Sequence, residues 1–211
     1  MKILGFMGSP RLNGFNAKLI QSALKGAEAA GAETKRYDLI ECNIKYCRGC
    51  MNCVYENHEL PIGKCSLNDD MASILEEYLQ ADGYILASPV YDVNVTALMK
   101  TFLERKLALF FKTRSDVGKV PDARVKAHFK KKASFIVTGI SAEEYSEAMG
   151  DPCFETMEVH FLIEGIEVVD KLYVGGLEDI TEERLIERLD KAYKLGMHLV
   201  EEIRRAQQDR V

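Results

Sequence analysis

The fold of this chain is decided by its first segment, Lys2-Ile3-Leu4-Gly5-Phe6-Met7-Gly8-Ser9-Pro10-Arg11-Leu12-Asn13-Gly14-Phe15-Asn16. The apolar run Lys2–Met7 predicts a buried strand that ends at Gly8. The stretch Asn16–Ala30 has apolar residues at helical spacing and is followed by Gly31, which predicts a helix. A strand joined to a helix by a short polar turn is the first half of a βαβ unit. The segment therefore predicts a parallel sheet covered by helices.

The rest of the chain repeats this alternation of apolar runs and amphipathic stretches. It predicts further strands at Thr34–Leu39, Gly83–Ala87, Ala133–Thr138 and Ile166–Val174. It predicts helices after an Asn68 cap, over Val95–Phe111, from Asp151-Pro152 to Gly165, and over Thr181–Gln207. Together these indicate one α/β domain over residues 1–211, with a doubly wound five-stranded parallel sheet and helices on both faces. Ligands in such sheets bind at the carboxyl ends of the strands, so we expect function in the loops that start at Gly8, Ile40, Ser88 and Gly139.

Composition restricts the classes of function. Of 211 residues, 47% are hydrophobic and 29% are charged, and the formal net charge is −5. An acidic balance argues against a nucleic-acid-binding protein, which normally needs a basic face. No apolar stretch is long enough to span a membrane, and the short apolar start leads directly into the first turn, so no signal peptide is expected. We therefore expect a cytoplasmic protein without nucleic-acid or membrane partners.

The loop Gly8–Asn16 has the features of a phosphate site. A helix N-terminus offers unpaired N–H groups and a partial positive charge, and both suit an anion. Ser9 adds a hydroxyl, Arg11 a guanidinium, and Asn16 a capping side chain. The loop has neither a Gly-x-Gly-x-x-Gly motif nor a P-loop lysine, so it suits a terminal monophosphate better than a pyrophosphate. The alternative is an ordinary polar turn with an Asn cap.

The loop after the third strand, Ser88–Asn94, is a candidate platform for a planar ring. It combines a rigid proline, Pro89, with an aromatic side chain, Tyr91, and backbone groups that can pair with a heterocycle edge. The alternative is that Tyr91 only packs against its neighbours.

Five of the six cysteines lie within 24 residues, in the irregular segment 40–67. The spacing Cys47-x2-Cys50-x2-Cys53 is the one with which bacterial ferredoxins wrap three thiolates around a [4Fe–4S] cluster. Cys65 is the candidate fourth ligand, with His58 as an alternative. Reduced thiols without a metal are the other interpretation, since buried cysteine often acts as a small hydrophobe. Cys42 and Cys153 are interpreted as structural.

These motifs resemble the iron–sulfur flavoprotein branch of the flavodoxin-like NAD(P)H-dependent FMN reductases. The resemblance covers about residues 1–111 and rests on Gly8-Ser9-Pro10-Arg11 with Asn16, the Cys47/Cys50/Cys53 run, Asp69-Asp70-Met71, Ala81-Asp82-Gly83, Ser88-Pro89-Val90-Tyr91 and Leu98-Met99-Lys100-Thr101-Phe102. It implies a flavodoxin-like strand order 2-1-3-4-5 and a homodimer or homotetramer. It implies that Ser9, Arg11 and Asn16 hold the FMN phosphate, that Pro89–Asn94 runs along the isoalloxazine ring, and that the FMN site comprises Ser9, Arg11, Asn16, Ala17, Pro89, Val90, Tyr91, Asp92, Asn94 and Gly139.

The chain departs from the family pattern in three places. The compact family motif places its fourth cysteine closer than Cys65. A glycine-rich loop after the fourth strand is reduced here to Thr138-Gly139-Ile140-Ser141, which implies fewer contacts to a flavin from that side. The stretch Lys112–Lys132 is long and basic. It is interpreted as a solvated loop or subunit contact, or alternatively as a surface for an acidic electron carrier or for the extra phosphate of NADPH.

The sequence thus predicts an FMN-dependent oxidoreductase that passes electrons between a [4Fe–4S] cluster and FMN, with the chemistry on the cofactors and no catalytic side chain. The predicted cluster ligands are Cys47, Cys50, Cys53 and Cys65. NAD(P)H is a possible co-substrate, and a ferredoxin-like protein or a small molecule is the possible electron donor or acceptor. The alternatives are a cluster-free NAD(P)H-dependent FMN or quinone reductase and a non-enzymatic redox-sensing module.

Overall fold

The computed structural model describes residues 1–128 and 130–208. In chain order its helices and strands are β1 Lys2–Met7, α1 Phe15–Ala29, β2 Glu33–Asp38, α2 Asn52–Tyr55, α3 Met71–Gln80, β3 Gly83–Pro89, α4 Ala97–Arg105, β4 Phe110–Phe111, β5 Asp122–Ala123, β6 Lys132–Thr138, α5 Ser146–Met149, α6 Asp151–Glu164, β7 Glu167–Val174 and α7 Glu182–Gln208.

Five strands form one parallel sheet in the order β2-β1-β3-β6-β7. Numbered within this sheet, the order is 2-1-3-4-5, so the predicted doubly wound α/β fold is confirmed. The strands β1, β3 and β6 lie inside the sheet and are buried along nearly their whole length. This burial on both faces explains why they read as continuous apolar runs rather than as alternating patterns.

Helices cover both faces of the sheet and leave its carboxyl edge free. Along β1, Ile3 and Met7 pack with α1 and α7 on one face. Leu4 and Phe6 point the other way and belong to the core that includes α3, α4 and α6. Because successive side chains of a strand point to opposite faces, one short apolar run supplies both layers.

Three predicted helix boundaries were wrong. The helix predicted over Val95–Phe111 begins at Ala97, because the Thr96 side chain accepts the Met99 N–H at 3.2 Å. It ends at Arg105 and continues only as a 3-10 turn. The N-cap of α3 is Asp70 rather than Asn68, and the Met71 N–H bonds to the Asp69 carboxylate at 3.2 Å. Gly150 is the N-cap of α6, so Asp151 lies in its first turn rather than at its cap.

Four small elements were not predicted. They are the one-turn helices α2 and α5 and the antiparallel pair β4–β5. Each has only two to four residues, too few for a periodic pattern to be recognised. The pair β4–β5 borders the cysteine-rich segment.

No helix within the described ranges is both long enough and apolar enough to cross a membrane. The longest helix, α7, has seven buried residues among 27, and most of the others are polar or charged. Its length therefore reflects packing along α1 and the sheet.

Candidate functional site

A cleft of about 680 Å³ opens at the carboxyl edge of the sheet. The turns after β1, β3, β6 and β7 form its walls. Its lining comprises Ser9, Arg11, Asn13, Gly14, Phe15, Asn16, Lys18, Pro89, Val90, Tyr91, Asp92, Thr138, Gly139, Ile140, Ser141, Met149, Tyr173, Leu177 and Glu178. This is the position at which doubly wound sheets bind their ligands.

One end of the cleft has the donors of an anion site. The N-cap of α1 is Gly14, which has no side chain to accept the N–H groups of the first turn. The buried Ser9 hydroxyl accepts the Arg11 N–H at 3.1 Å, so its own hydrogen remains available to donate. The Arg11 side chain is exposed at the rim. Backbone dipole, hydroxyl and guanidinium together favour a phosphate-like group.

The turn after β1 is locked to the start of α4. The Thr96 hydroxyl donates to the Gly8 carbonyl at 2.6 Å, and the Thr96 N–H donates to Ser88 Oγ at 3.1 Å. A Cβ atom at Gly8 would lie 2.9 Å from Met99 Cβ, so a larger residue would push these elements apart. The first and third loops are therefore held in a fixed relation by buried contacts.

The sequence predicts that Asn16 caps α1, but the N-cap of this helix is Gly14. Asn16 is the second residue of the helix and is buried, and its Nδ2 lies 3.4 Å from Thr138 Oγ1. Its Oδ1 is buried and has no hydrogen-bond partner in the structure. A buried acceptor is costly unless it is paired, and a ligand hydroxyl or N–H in the cleft would pair it.

The wall after β3 ends in a tight and strained turn. Tyr91 and Asn94 exchange backbone hydrogen bonds of 2.7 and 3.0 Å. Between them, Asp92 and Val93 have φ angles of 49° and 59°, in the left-handed region that β-branched residues avoid. The Val90 N–H donates to the Thr138 carbonyl at 2.7 Å and fixes the turn to β6. Strain of this kind, about 1–3 kcal/mol per residue, is concentrated at functional sites.

The wall after β6 is more complete than the sequence predicted. Thr138, Ile140 and Ser141 line the cleft beside Gly139. Tyr173, from β7, donates a hydrogen bond from its hydroxyl to the Ser141 carbonyl at 3.2 Å. A Cβ at Gly139 would lie 2.4 Å from that hydroxyl, so the Tyr173 ring occupies the space that a side chain there would need. Residues 138–141 therefore form a wall of the cleft, on the side where the sequence implied fewer contacts to a flavin.

The four predicted cluster ligands lie in one neighbourhood. Burial, together with the nearby Cys65, Cys47 and Cys50 thiols, raises the pKa of the Cys53 thiol to about 11. Cys50 Sγ lies 3.5 Å from Ser66 Oγ. Backbone N–H groups point at two other sulfurs, from Gly49 to Cys47 and from Leu67 to Cys65, each at 3.5 Å. N–H donors directed at sulfur are a feature that tunes iron–sulfur centres.

Within residues 1–128 and 130–208, no three Cys, His, Asp or Glu side chains converge closely enough to hold a single metal ion. A cubane cluster is wider than one ion, so its four thiolates are not expected to converge on a point. Four free cysteines within one loop supply the soft sulfur donors that an iron–sulfur cluster requires. The donor set therefore fits such a cluster.

The remaining cysteine and histidine candidates lie apart from this set. The His58 ring packs against Phe111, with ring centroids 5.7 Å apart. Cys153 is fully buried in the core and Cys42 is half-buried, with each sulfur near a backbone carbonyl. These contacts agree with structural roles for both cysteines.

Arg124 anchors the outer part of the cysteine-rich segment. Its guanidinium donates hydrogen bonds of 2.6–3.0 Å to the carbonyls of Asn57, Leu60, Cys53, Glu56 and Phe110. Gly63 lies against this guanidinium, because a Cβ there would be 2.8 Å from Arg124 Nη2 and 1.9 Å from the Cys53 carbonyl oxygen. Several other cations of Lys112–Lys132 form local ion pairs: Arg114 with Glu56, Lys119 with Asp116, Lys126 with Asp122, and Lys132 with Glu167. Much of this basic stretch is therefore committed to local structure.

The family model for NADPH-dependent FMN reductases matches residues 1–151. The chain belongs to this family. Its matched region contains β1 to β6, including the phosphate-type turn, the ring platform and the cysteine-rich segment.

Similar curated proteins agree with the branch that the motifs suggested. An iron–sulfur flavoprotein of Archaeoglobus fulgidus is 41% identical over 107 residues, which cover 51% of this chain and 46% of that protein. An iron–sulfur flavoprotein of Methanocaldococcus jannaschii is 38% identical over 120 residues, covering 56% and 59%. The predicted resemblance is thereby confirmed. The matched part spans about half the length of these relatives.

Solved structures share the fold of this FMN reductase family member. An azoreductase from Bacillus anthracis superposes with a TM-score of 0.70 at 16% identity, covering 94% of this chain and 99% of that one. An NAD(P)H:quinone oxidoreductase from Methanothermobacter marburgensis gives a TM-score of 0.68 at 17% identity, covering 94% and 96%. At these identities the likeness concerns the fold alone.

In this family member the cleft contains eight of the ten residues predicted to bind FMN, namely Ser9, Arg11, Asn16, Pro89, Val90, Tyr91, Asp92 and Gly139. Ala17 is buried within α1 and Asn94 is outside the lining. The Asn94 side chain instead accepts the Val95 N–H at 2.7 Å and the Thr156 hydroxyl at 3.0 Å.

Proposed function

We propose that this chain is an FMN-dependent oxidoreductase that binds FMN in the cleft and a [4Fe–4S] cluster on Cys47, Cys50, Cys53 and Cys65, and that electrons pass between the two. The observation that carries the proposal is the cleft itself, which combines the uncapped start of α1, the buried and unpaired Asn16 Oδ1, and the two walls after β3 and β6. Family membership supports the flavin, and the names of the curated relatives support the cluster.

The residues around α1 would hold the phosphate of FMN. Ser9 has a free hydroxyl hydrogen, Arg11 brings an exposed positive charge, and the first turn of α1 presents N–H groups with no side-chain cap. The buried Asn16 Oδ1, which has no partner, would accept a hydrogen bond from a hydroxyl group of the bound FMN.

The two walls would orient the ring. Pro89–Asp92 is stiffened by the left-handed turn, and Gly139–Ser141 is held by the Tyr173 hydroxyl. NAD(P)H would be the second substrate, as the name of the family indicates. When bound, a flavin can take up two electrons as hydride and release them singly, which suits a one-electron cluster.

The test is anaerobic purification followed by an absorption spectrum and a count of FMN, iron and sulfide per chain. We expect one FMN and about four irons per chain. A Cys65→Ser variant is expected to lose or alter the cluster while it keeps FMN. Cys153→Ser, away from the cysteine-rich segment, is the matched control and should keep both. A preparation without FMN would contradict the flavin site, and an iron-free preparation after reconstitution with iron and sulfide would contradict the cluster.

A cluster-free NAD(P)H-dependent reductase of quinones or free flavin is the second candidate. It is favoured by the cleft, which is complete without the cysteine-rich segment: no residue between 40 and 67 lines it. Steady NADPH oxidation by an iron-free preparation, with the same rate in the Cys65→Ser variant, would select this function.

We further propose that the chain forms a homodimer or homotetramer and exchanges electrons with a ferredoxin-like protein or a small molecule. In support, the α6 residues Val159 and Leu162 are exposed by half or more, and the turns after β3 and β6 expose Val93 and Ile140 beside the cleft. Light scattering of the FMN-loaded protein tests the assembly, with a monomer as the contrary result.

A further inference from the structure

Arg105 is the last residue of α4, and its charge is buried beside the cysteine-rich segment. Its side chain is 2% exposed, and that of its partner Asp69 is 1% exposed. The guanidinium forks onto the Asp69 carboxylate with bonds of 2.5 and 2.9 Å. The nitrogen that makes the longer bond also lies 3.6 Å from Cys65 Sγ, within hydrogen-bond range for sulfur.

The same pair ties together the two ends of the segment that holds the thiols. Arg105 Nη1 donates to the Lys45 carbonyl at 2.8 Å, and Asp69 Oδ2 accepts the Lys45 N–H at 2.9 Å. Lys45 stands two residues before Cys47, and Asp69 stands four residues after Cys65. One ion pair therefore fixes where the segment enters and where it returns.

This arrangement explains how Cys65 is positioned near the other three thiols. Eleven residues separate it from Cys53, a length that permits many positions. The Arg105 fork selects one of them by contacting the sulfur and both ends of the segment.

We propose that Arg105 is a positioning residue for the iron–sulfur cluster, holding Cys65 beside Cys47, Cys50 and Cys53 and stabilising the reduced cluster through its hydrogen bond to the Cys65 sulfur. The inference rests on the proposed function, since it assigns the residue a role toward the proposed cluster. Reduction adds negative charge, and a buried cation at one ligand stabilises that charge. Hydrogen bonds to the sulfurs and net charge are among the factors that set cluster potentials.

The planar guanidinium of Arg105 allows it to contact the Asp69 carboxylate and the Cys65 sulfur at the same time. A guanidinium can engage a carboxylate through two parallel bonds while another N–H faces the sulfur, whereas an ammonium is a single point of charge. Arg105→Lys therefore keeps the positive charge but loses the planar fork, whereas Arg105→Gln removes both. Arg114→Gln is the matched control. It removes an equal charge from a mostly exposed residue that pairs with Glu56 in the same segment.

The experiment measures the ratio of reduced to oxidised cluster at a fixed solution potential, by absorbance or electron paramagnetic resonance, together with iron per chain. Arg105→Gln is expected to lower the ratio about tenfold, the size of one charge-assisted hydrogen bond. In Arg105→Lys the ratio should fall less than in Arg105→Gln, but the protein should bind less iron than wild type. Arg114→Gln should match wild type in both the ratio and the iron content. A purely structural role would lower thermal stability in Arg105→Gln while leaving the ratio unchanged, and that result would overturn the proposal.

A separate measurement keeps this inference distinct from the proposed function. Hydrogen exchange of the metal-free protein reports the segment directly, because the Lys45 N–H is bonded to Asp69. Faster exchange over residues 45–67 in Arg105→Gln, but not in Arg114→Gln, supports the positioning role even if the wild-type protein binds no iron. Unchanged exchange overturns it. If Arg105→Gln does not fold, Arg105→Lys and the near-isosteric Asp69→Asn serve for the same comparison.

Discussion

Arg11 is the residue on which the proposed phosphate site depends most directly. Its guanidinium is exposed at the rim of the cleft, next to the buried Ser9 hydroxyl and the uncapped start of α1. We expect Arg11→Ala to raise the Kd for FMN about tenfold, near the lower end for a charge-assisted hydrogen bond because the site is open to solvent. Quenching of flavin fluorescence on titration measures the change. Arg114→Ala removes an equal charge away from the cleft and should leave the Kd unchanged; an Arg11→Ala protein that binds FMN as tightly as wild type would refute the phosphate assignment.

His198 makes part of the stability depend on pH. Its Nδ1 lies 2.8 Å from an Asp170 carboxylate oxygen, and that hydrogen bond is the main cause that raises the pKa of His198 above 6.5. A group whose pKa is raised on folding stabilises the protein fully below its unfolded pKa, and this contribution is lost as pH rises through the folded pKa.

We therefore expect His198→Gln to be less stable than wild type at pH 5.5 and to match it by about pH 9. The difference should stay below about 1 kcal/mol, since the pair is partly exposed to solvent. Urea unfolding across this pH range measures it. In an Asp170→Asn background the pH dependence of the difference should largely disappear, and a difference that grows with rising pH would contradict the assignment.

At the scale of single residues, the sequence predicts the location of functional side chains that belong to a recognisable local motif. Ser9, Arg11 and Tyr91 stand in turns that follow strands, so they are predicted at the cleft and are found there. Tyr173 and Arg124 are not predicted. Their roles depend on contacts with Ser141 and with carbonyls 53–60, which no local pattern encodes.

At the scale of elements, α1 and α7 pack with their backbones in close contact. A Cβ at Gly196 would lie 1.8 Å from the Ala23 carbonyl, and a Cβ at Gly26 would lie 1.9 Å from the Tyr193 carbonyl. Backbone atoms cannot rotate away as a side chain can, so the helices would have to separate. These two glycines are therefore required by packing, although neither has a positive φ.

We expect Gly196→Ala to lower the free energy of unfolding by about 2–3 kcal/mol through overpacking. In an exposed helix the same change would stabilise by about 1 kcal/mol, so the two effects have opposite signs. Chemical denaturation measures the difference. Lys194→Ala, at a mostly exposed position of α7, should change stability by less than about 0.5 kcal/mol. A Gly196→Ala protein more stable than wild type would show that the helices are not in this contact.

The strands and most helices were predicted well from the sequence, whereas the path of the segment between β2 and α3 was not, and the difference has a physical reason. All five strands of the sheet, together with α1, α6 and α7, were predicted within two residues of their observed bounds. Burial gives these helices a helical period and gives the inner strands continuous apolar runs. The segment between β2 and α3 has no such period. Its path is set by hydrogen bonds from the side chains of Arg105 and Arg124, which lie 35 or more positions beyond the end of the segment at Asp70.

At the scale of the whole molecule, the cleft joins parts that are distant in the sequence. Its walls come from turns after β1, β3, β6 and β7, so a ligand that contacts all of them links both halves of the sheet. A ligand that binds only the folded state stabilises it by mass action, by about 2.7 kcal/mol at 100 times its Kd. For a domain of this size we expect FMN at that concentration to raise the Tm by about 5–10 °C.

Riboflavin is the control that tests whether the phosphate group contributes to binding, because it has the same ring and polar chain as FMN but no phosphate. If Ser9, Arg11 and the start of α1 hold the phosphate, riboflavin at the same concentration must give a clearly smaller rise in Tm than FMN. In Arg11→Ala the rise with FMN should fall toward the value for riboflavin, while the rise with riboflavin should stay the same. Equal shifts for the two flavins in the wild-type protein would mean that the ring walls alone account for binding, and the anion site at α1 would then have to serve another ligand.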